Sequence, residues 1–564
     1  MTFEQLRRAN VRDFGAMGTG DVDDAPAIQR AINALDPAGG IVFIPAGTYR
    51  IGTPATEVPS TNAPLFVGSR IHLVGEGSGR TILRLANDVQ QTAATGLFPG
   101  RVASLIMNKS NGWWYGRWSA GVALAPDEDI VVAGMTLDGN KDGQTTLYVP
   151  GSRTMGAVVD PVGSVSGIGS VSASAPAVEH PAHVWVSVSY VAADGAETGA
   201  LQSDAIPLAP EHNAVELTLP DTPTGATAIR VYMASEQDEA TNLRYRRLAD
   251  PLSLPDTDRK RIVPLAAWLG PPEPAPEAQP PGTWLLPIAD SAGLHFTEVR
   301  GCRLRDVEIK DFIYDGLTLQ SLDATDQIHA EGLWIHGNRR QGITLDGPGR
   351  DLVFINCKFE DNNVAADICE AGQSLIDLSF IDCTFRNNGV VIGPGSPYTI
   401  DGVKFIACVF EGPHWLMTGI LFPQGKAGFL RNVLISGCRF EGLKGPAVVV
   451  GMRGTGRIEH CNFLANGFHP RAQIAQLLFQ DPVGGPCAWF IEGNRFVPPD
   501  EPRFDHWPVI EVAGQHQYVV VRTNVLESTP SVPVPYLMQR DDSPEANHRV
   551  DANVASGGGL LERA

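Results

Sequence analysis

The chain has 564 residues, a net charge of −20, and a composition that is 43% hydrophobic and 19% charged. This balance indicates a folded chain rather than a disordered one. The acidic surface repels phosphate groups and argues against nucleic acid as a partner. No run approaches the roughly 20 apolar residues of a membrane helix, so we expect no membrane insertion, and the N-terminus shows no signal-peptide pattern.

The N-terminal region reads as a helix followed by two short strands. Acidic residues stand before apolar residues at helical spacing, which predicts a capped amphipathic helix: Asp23, Asp24, Ile28, Ile32 and Leu35. Apolar runs at 41–44 and 49–51 predict strands. Such a helix would close the open end of a stack of strands. We assign residues 1–150 to this cap and the first strands.

A loop rich in aromatic residues follows the cap. Four aromatic side chains lie within six positions among Gly and Ser, in no apolar period: Trp113, Trp114, Tyr115 and Trp118. Flat aromatic faces stack on sugar rings, which predicts a substrate-binding platform. The alternative is that the loop folds over a groove and buries these rings.

A run of oxygen-bearing side chains imitates the start of a calcium-binding loop. It contains Asp138, Asn140, Asp142 and Gly143, but Val149 stands where such a loop needs Glu. The eight cysteines all lie between 302 and 487, and none has Cys-x-x-Cys spacing. The sequence therefore predicts neither a metal site nor a cofactor.

Residues 155–270 interrupt the pattern on either side of them. Alternating apolar and polar residues at 183–191, 215–219, 228–233 and 243–248 predict short strands of a small inserted β-sandwich. Its role could be a spacer, a sugar-binding module, a subunit contact or a mere decoration. The Pro-rich segment from 271 predicts a stiff linker that ends near 287.

The second half of the chain, 288–530, carries an internal repeat of about 25 residues. Aligned copies put similar residues in one column: Val307, Leu333, Cys357, Cys383, Cys408, Cys438, Cys461, Asn494 and Asn524. One short repeat cannot bury its apolar face alone, but copies stacked rung on rung can. The repeat predicts an all-β, right-handed parallel β-helix, with a C-terminal tail at 531–564.

The alignment leads to two further predictions. Stacked cysteines are read as a ladder of buried free thiols, with disulfides as the alternative. A second column carries charged or titratable residues and predicts a solvent-facing ladder without a function: Lys310, His336, Glu360, Arg386, Glu411 and Glu441.

Acidic residues that share a column would lie about 4.8 Å apart on neighbouring rungs. We predict one column with Gln320, Asp346 and Asp367, and a preceding turn column that holds Asp315, Gln341, Asn362 and Asn388. Stacked Asp346 and Asp367 would suit a retaining pair of catalytic carboxylates. The alternative is that these acids, several of them in Asp-Gly turns, only cap their own backbone.

Further candidates lie around this pair. We predict Asp315 and Glu370 as additional catalytic acids, and Arg339 and Arg340 as residues that bind an acidic sugar.

Several motifs resemble a known family. NVRDFGA at 10–16, the helix DDAPAIQ at 23–29 and FIPAGTY at 43–49 look like the opening of the pectate-lyase-like, or rhamnogalacturonase/epimerase-like, right-handed β-helix family. GMTLDGNKDGQ at 134–144 and FIYDGLTL at 312–319 are similar to later rungs. Alginate epimerases of similar architecture carry Asp-Pro-His where this chain has Asp315-Gly316-Leu317. The insert resembles fibronectin type III-like modules of phage proteins.

The resemblance implies a phage tailspike-like depolymerase that binds and cleaves a cell-surface polysaccharide by hydrolysis or β-elimination. It also implies a homotrimer located on a virion tail or outside cells, with other tail proteins as partners. A bacterial polysaccharide lyase, and a non-catalytic β-helix adhesin or tail component, remain alternatives. The resemblance covers 1–145 and 288–530.

Overall fold

In a computed structural model, the described residues are 7–52, 64–87, 104–108, 125–144, 164–168, 183–192, 201–202, 206–207, 214–218, 226–235, 244–247, 252–253, 260–264, 272–274, 292–312, 314–321, 325–338, 340–362, 366–368, 374–394, 397–412, 418–423, 428–467, 475–480, 487–498, 508–512, 518–527, 536–540, 549–556 and 560–563.

Two large parallel sheets make up the body of the protein. Strands equivalent in successive repeats pair in parallel, so each rung hydrogen-bonds to the next. A typical rung passes once through a 13-stranded sheet and then twice through a 29-stranded sheet, as in 315–320, 325–331 and 334–336. The predicted right-handed parallel β-helix is confirmed.

The 13-stranded sheet contains Leu65–Val67, Ile106–Asn108, Ala292–Thr297, Asp315–Gln320, Ile343–Asp346, Ala366–Ile368, Val390–Ile392, Ile420–Phe422, Val448–Val450, Leu477–Phe479, Pro508–Val512, Tyr536–Arg540 and Leu560–Arg563. The 29-stranded sheet contains Arg8–Asn10, Thr19–Asp23, Gly40–Ile44, Gly47–Ile51, Ile71–Gly75, Thr81–Leu85, Asp127–Glu128, Val131–Asp138, Val299–Arg300, Arg303–Lys310, Thr325–Glu331, Trp334–His336, Gly349–Ile355, Lys358–Glu360, Leu375–Ile381, Thr384–Arg386, Thr399–Asp401, Lys404–Ile406, Val409–Glu411, Phe429–Ser436, Arg439–Glu441, Gly454–Glu459, Asn462–Leu464, Cys487–Glu492, Arg495–Val497, Tyr518–Arg522, Val525–Glu527, Arg549–Asp551 and Val554–Ser556.

The N-terminal cap forms as predicted. The α-helix Ala25–Asn33 buries Ile28 and Ile32, while the Oδ1 of Asp23 accepts a hydrogen bond from the N–H of Ala25. The carboxylate of Asp24 instead accepts from the N–H groups of Met17 and Gly18, tying the helix to the turn before it. Short 3-10 helices span Val11–Phe14 and Lys141–Gly143.

Identical side chains stack along the interior. Phenylalanines from six consecutive rungs are buried with ring centroids 4.6–5.0 Å apart: Phe359, Phe385, Phe410, Phe440, Phe463 and Phe496. The described cysteines are buried free thiols, as predicted. Burial raises the pKa of the Cys302 thiol, which keeps it protonated and unreactive.

The cysteine column continues as a ladder of asparagines, which the repeat alignment predicted at 494 and 524. The Nδ2 of Asn494 donates to the Oδ1 of Asn524 at 3.0 Å, and that of Asn524 donates to Asn553 at 3.0 Å. The two ladders join where the N–H of Cys461 donates to the Oδ1 of Asn494 at 2.9 Å. Each amide thereby pairs buried backbone groups of the adjacent rungs.

Replacing Asn494 by Ala should lower the free energy of unfolding by about 1–3 kcal/mol. The change leaves the N–H of Cys461 and the carbonyl of Ile458 without the partners they have now. Asn494→Cys is the matched control, because Cys461 accepts from the N–H of Cys438 in the same column. Urea unfolding followed by circular dichroism checks this. Equal stability of the Ala and Cys variants would contradict it.

The strand register confirms that Lys310, His336, Glu360, Arg386, Glu411 and Glu441 share one column. The predicted solvent-facing direction is wrong for Glu360, which is buried. Within the insert, the described strands are antiparallel. One sheet contains Ser164–Ile168, Ala214–Thr218 and Lys260–Pro264; the other contains His183–Ala192, Leu201–Gln202, Ile206–Pro207, Ala226–Ser235, Arg244–Arg247, Leu252–Ser253 and Pro272–Pro274.

The switch from parallel to antiparallel pairing agrees with a separate inserted unit. The fibronectin-like assignment and the domain boundaries stay predictions. Over the part of the chain that is described, no helix is long and apolar enough to cross a membrane.

Candidate polysaccharide site

Polar side chains cover the outward face of the 13-stranded sheet on its early rungs. Leu294 and Phe296 point into the core, so His295 and Thr297, which alternate with them, point outward. The next strands repeat this alternation, with Thr318 and Gln320, and then Thr344 and Asp346, facing outward: the register pairs His295 with Thr318 and Gln320 with Asp346. Most of these outward residues are nevertheless buried.

A hydrogen-bonded row crosses three of these strands. The Oγ of Ser104 lies 3.4 Å from the Nδ1 of His295, whose Nε2 lies 2.8 Å from the Oε1 of Gln320. The Nε2 of Gln320 donates to the Oδ2 of Asp346 at 3.4 Å. His295 and Gln320 are buried, whereas Asp346 is partly exposed. We call these four residues the polar row, and Asp346 is its end nearest to solvent.

The Oε1 of Gln320 is an acceptor, so we assign the proton of His295 to Nε2. This fixes the Gln320 amide with its N–H groups toward Asp346. The row therefore directs an N–H group of Gln320 toward the Asp346 carboxylate.

A buried ion pair lies beside the row. Asp315 is 1% exposed, and its Oδ2 lies 3.1 Å from the Nη1 of Arg340, which is 7% exposed. The same carboxylate accepts from the Thr344 hydroxyl at 2.7 Å and from the N–H of Gln341 at 3.1 Å. The guanidinium of Arg340 also lies over the ring of Tyr314, 4.4 Å from its centroid.

This setting makes Asp315 a poor proton donor. A buried carboxylate that accepts several hydrogen bonds beside a guanidinium is held as the anion. Asp315 thus anchors the rung below Arg340 and Thr344.

The register confirms one predicted column and corrects another. Gln320 and Asp346 are paired, as predicted. The predicted stacking of Asp346 on Asp367 is wrong, because Asp367 pairs with Thr344, two residues before Asp346. The rung between Thr344 and Asp367 is shorter than its neighbours, and the predicted alignment made it shorter still by two residues.

The turn column is also corrected. Asp315 and Gln341 share a rung position, as predicted, through the bond from the N–H of Gly316 to the carbonyl of Gln341. Asn362 and Asn388 instead continue a ladder from Asn338, with Nδ2–Oδ1 distances of 2.8 and 3.1 Å. These asparagines lie in an earlier turn, at the end of the 29-stranded sheet. There their side chains hydrogen-bond backbone groups.

Several predicted site residues lie outside the described residues, and their roles stay predictions: Trp113, Trp114, Tyr115, Trp118, Arg339 and Glu370. Among the side chains that the structure does describe, no cluster of three or more His, Cys, Asp or Glu could hold a metal ion.

His295 was not among the predicted site residues. The signal was present, because LHFT at 294–297 has the same alternation as LTLQ at 317–320 and ITLD at 343–346. Aligning the three segments would have put His295 on the outward face beside Thr318.

One family model matches the first part of the chain. Residues 8–109 match the family model described as Rhamnogalacturonase A/epimerase, pectate lyase-like, which confirms the predicted resemblance. The mannuronan C5-epimerase AlgE1 of Azotobacter vinelandii is 35% identical over 150 residues, 25% of this chain and 9% of that protein. Alginate lyase 7 of the same organism is 34% identical over 152 residues, 26% of this chain and 15% of that protein.

The chain thus spans a small fraction of the length of these relatives.

Among solved structures, the AlgE6 A-module of A. vinelandii has a TM-score of 0.42 at 14% identity, covering 99% of both chains. The tailspike protein of E. coli bacteriophage HK620 has a TM-score of 0.46 at 9% identity, covering 98% of this chain and 78% of its own.

Proposed function

We propose that the protein acts on a uronate-containing polysaccharide bound along the outward face of the 13-stranded sheet, with Asp346 as the base that removes the proton beside the uronate carboxylate. The polar row is the observation that supports this proposal. In it, buried His295 contacts buried Gln320, and Gln320 donates a hydrogen bond to the one carboxylate that reaches solvent. Positioned carboxylates serve as general bases when held within hydrogen-bonding reach of the proton.

The chemistry needs few groups. Asp346 takes the proton from the ring carbon next to the carboxylate, and the electron pair delocalises into that carboxylate. Two outcomes are then possible. Breaking the bond from the adjacent carbon to the glycosidic oxygen, which leaves with a proton taken from water, gives an unsaturated end, which is a lyase reaction. Return of a proton to the opposite face gives the epimer. Arg339 stays a prediction for the group that neutralises the sugar carboxylate, whereas Arg340 is buried and already paired with Asp315.

The sequence relatives support this substrate class. They are named mannuronan C5-epimerases and an alginate lyase, so both names refer to uronate polymers. That this chain itself acts on a uronate polymer is part of the proposal.

Inverting hydrolysis is the second candidate, favoured by the register of Asp346 and Asp367. Asp367 lies on the next strand and is offset by two residues from Asp346, so their Cα atoms are about 8 Å apart. This diagonal is wider than the roughly 4.8 Å of direct stacking, and a wider separation of the two carboxyl groups is what distinguishes inverting from retaining pairs.

A protein that binds glycan without cleaving it is the third outcome. The complete hydrogen bonding of Asp315 fits this case, because that acid then serves only the fold. Location on a virion tail, contact with other tail proteins and assembly as a homotrimer stay predictions from the family resemblance.

The test incubates the purified chain with alginate, with pectate and with capsular polysaccharide, and follows three products together. Unsaturated ends, seen by ultraviolet absorbance, or altered uronate composition, seen by NMR, would support the proposal. Reducing ends without unsaturation would replace it by hydrolysis. Retention by the polymer with no product would leave a binding protein.

A further inference from the structure

We infer that Trp334, on the 29-stranded sheet, is a second glycan-binding platform, separate from the polar row, that takes a pyranose ring of an acidic glycan. Trp334 is 41% exposed on a face where its neighbours are mostly charged or polar. Its strand, Trp334–His336, belongs to the 29-stranded sheet, whereas the polar row lies on the outward face of the 13-stranded sheet.

The indole is held in one orientation by its neighbours. Its Nε1 donates to the Oε2 of Glu360 at 2.8 Å, and its ring stacks on His336 with centroids 4.2 Å apart and planes 24° from parallel. We call Trp334, His336 and Glu360 the Trp334 platform. A tryptophan whose N–H is hydrogen-bonded and whose ring is stacked on a neighbouring side chain loses little conformational entropy when it binds a ligand.

The two supports are themselves anchored. Glu360 is 7% exposed, and its Oε2 lies 2.9 Å from the Nη2 of Arg386. The Nε2 of His336 lies 3.0 Å from the Oε1 of Glu308, whose Oε2 accepts from the Thr136 hydroxyl at 2.6 Å. The hydrogen bond with His336 lowers the pKa of the Glu308 carboxyl, which keeps it charged against the imidazole.

These contacts span five strands of the sheet and fix an aromatic surface that gains nothing for the fold by being exposed. An exposed indole leaves apolar area in water, and a rigid flat ring is a good surface for the C–H groups of a sugar. Carboxylates, an imidazole and a guanidinium at its edges offer both acceptors and donors to hydroxyl groups.

The charge next to the indole favours an acidic sugar. Lys358 pairs in register with Trp334 on the next strand, is exposed, and makes no ion pair with any described residue. Glu360 is already matched by Arg386, and Glu308 is hydrogen-bonded to His336 and to the Thr136 hydroxyl. A uronate ring stacked on the indole would therefore find an unmatched ammonium one strand away. Only this choice of an acidic glycan rests on the proposed function.

The test measures binding of alginate by affinity electrophoresis and calorimetry, with dextran as the neutral glycan. Trp334→Ala should weaken alginate binding about tenfold, while Trp334→Phe, which keeps a flat ring, should retain most of it. Wild-type protein should bind dextran more weakly than alginate. Thermal unfolding of both variants should match that of the wild type, since the side chain is largely outside the core.

Tyr518→Ala is the matched control. Tyr518 is 39% exposed on the same sheet and stands edge-on to Phe490 at 6.0 Å, without hydrogen-bonded supports. Its loss should leave alginate binding unchanged. The inference is overturned if Trp334→Ala binds as tightly as wild type, if both alanine variants lose affinity alike, or if dextran binds as tightly as alginate. If Trp334→Ala loses alginate binding and the wild-type protein shows no turnover, the proposed function is wrong and the inference about the Trp334 platform stands.

Discussion

Asp346→Asn should lower the turnover of a uronate polysaccharide at least about a hundredfold, because an amide cannot accept the proton that a general base removes. The substitution keeps the shape of the side chain and a carbonyl oxygen for the Nε2 of Gln320, which donates to Asp346 at 3.4 Å. Binding of the polymer and the unfolding transition should therefore stay near wild type. Initial rates with alginate and pectate, together with a binding measurement, check this.

Two further variants interpret the result. Glu411→Gln removes one charge from the ladder on the 29-stranded sheet, and it should leave turnover unchanged. Asp367→Asn should also leave proton abstraction largely intact, because its backbone lies beside Thr344 rather than Asp346. If Asp346→Asn and Asp367→Asn abolish activity equally, and reducing ends are the product, inverting hydrolysis is the better account. Full activity of Asp346→Asn would place the reaction elsewhere on the molecule.

Arg340→Ala should lower the free energy of unfolding by about 3–5 kcal/mol, because it leaves the buried Asp315 carboxylate without its opposite charge. The pair is 3.1 Å apart, with side chains 8% and 1% exposed. Water cannot compensate the charge at that depth. Urea unfolding followed by circular dichroism gives the change in stability.

The double variant Asp315→Asn with Arg340→Met should lose less stability than Arg340→Ala alone, since no charge is then buried. Arg305→Ala is the surface control: Arg305 pairs with Glu331, and their side chains are 65% and 41% exposed, so its removal should cost less than about 1 kcal/mol. An Arg340→Ala variant within about 1 kcal/mol of wild type would show that Asp315 does not depend on the pair.

Repetition explains why much of the interior could be predicted from the sequence. Cys357, Cys383, Cys408 and Cys438 recur with similar neighbours, and each copy confirms the alignment of the others. Stacked phenylalanines such as Phe385 and Phe410 and the charge ladder obey the same rule. A β-helix places equivalent residues directly above one another, so a sequence column becomes a physical column.

The candidate site follows this rule less well because its rungs are less regular. Asp346 and Gln320 stand in strands with the same alternation, and their pairing was predicted correctly. Asp367 lies in a shorter rung whose strand, Ala366–Ile368, has no glycine to mark its start, and the pairing slipped by two residues. A slip of two keeps the same face outward, so hydrophobic pattern could not reveal it.

His295 was missed for a different reason. A single histidine between apolar residues reads as a core residue, and its outward direction appears only when its strand is aligned with two later ones. Its partner Ser104 precedes it by 191 positions, on the far side of the insert. A contact at that separation leaves no local trace in the sequence.

The release of a hydrogen label from the substrate tests the central claim most directly. Alginate that carries tritium at C5 of its uronate rings would be incubated with wild-type protein and with Asp346→Asn, and tritium in water would be counted against product formed. Removal of that proton by Asp346 predicts release that tracks product in the wild type and falls at least about a hundredfold in the variant. Depolymerisation without release of tritium, or equal release from both proteins, would contradict it.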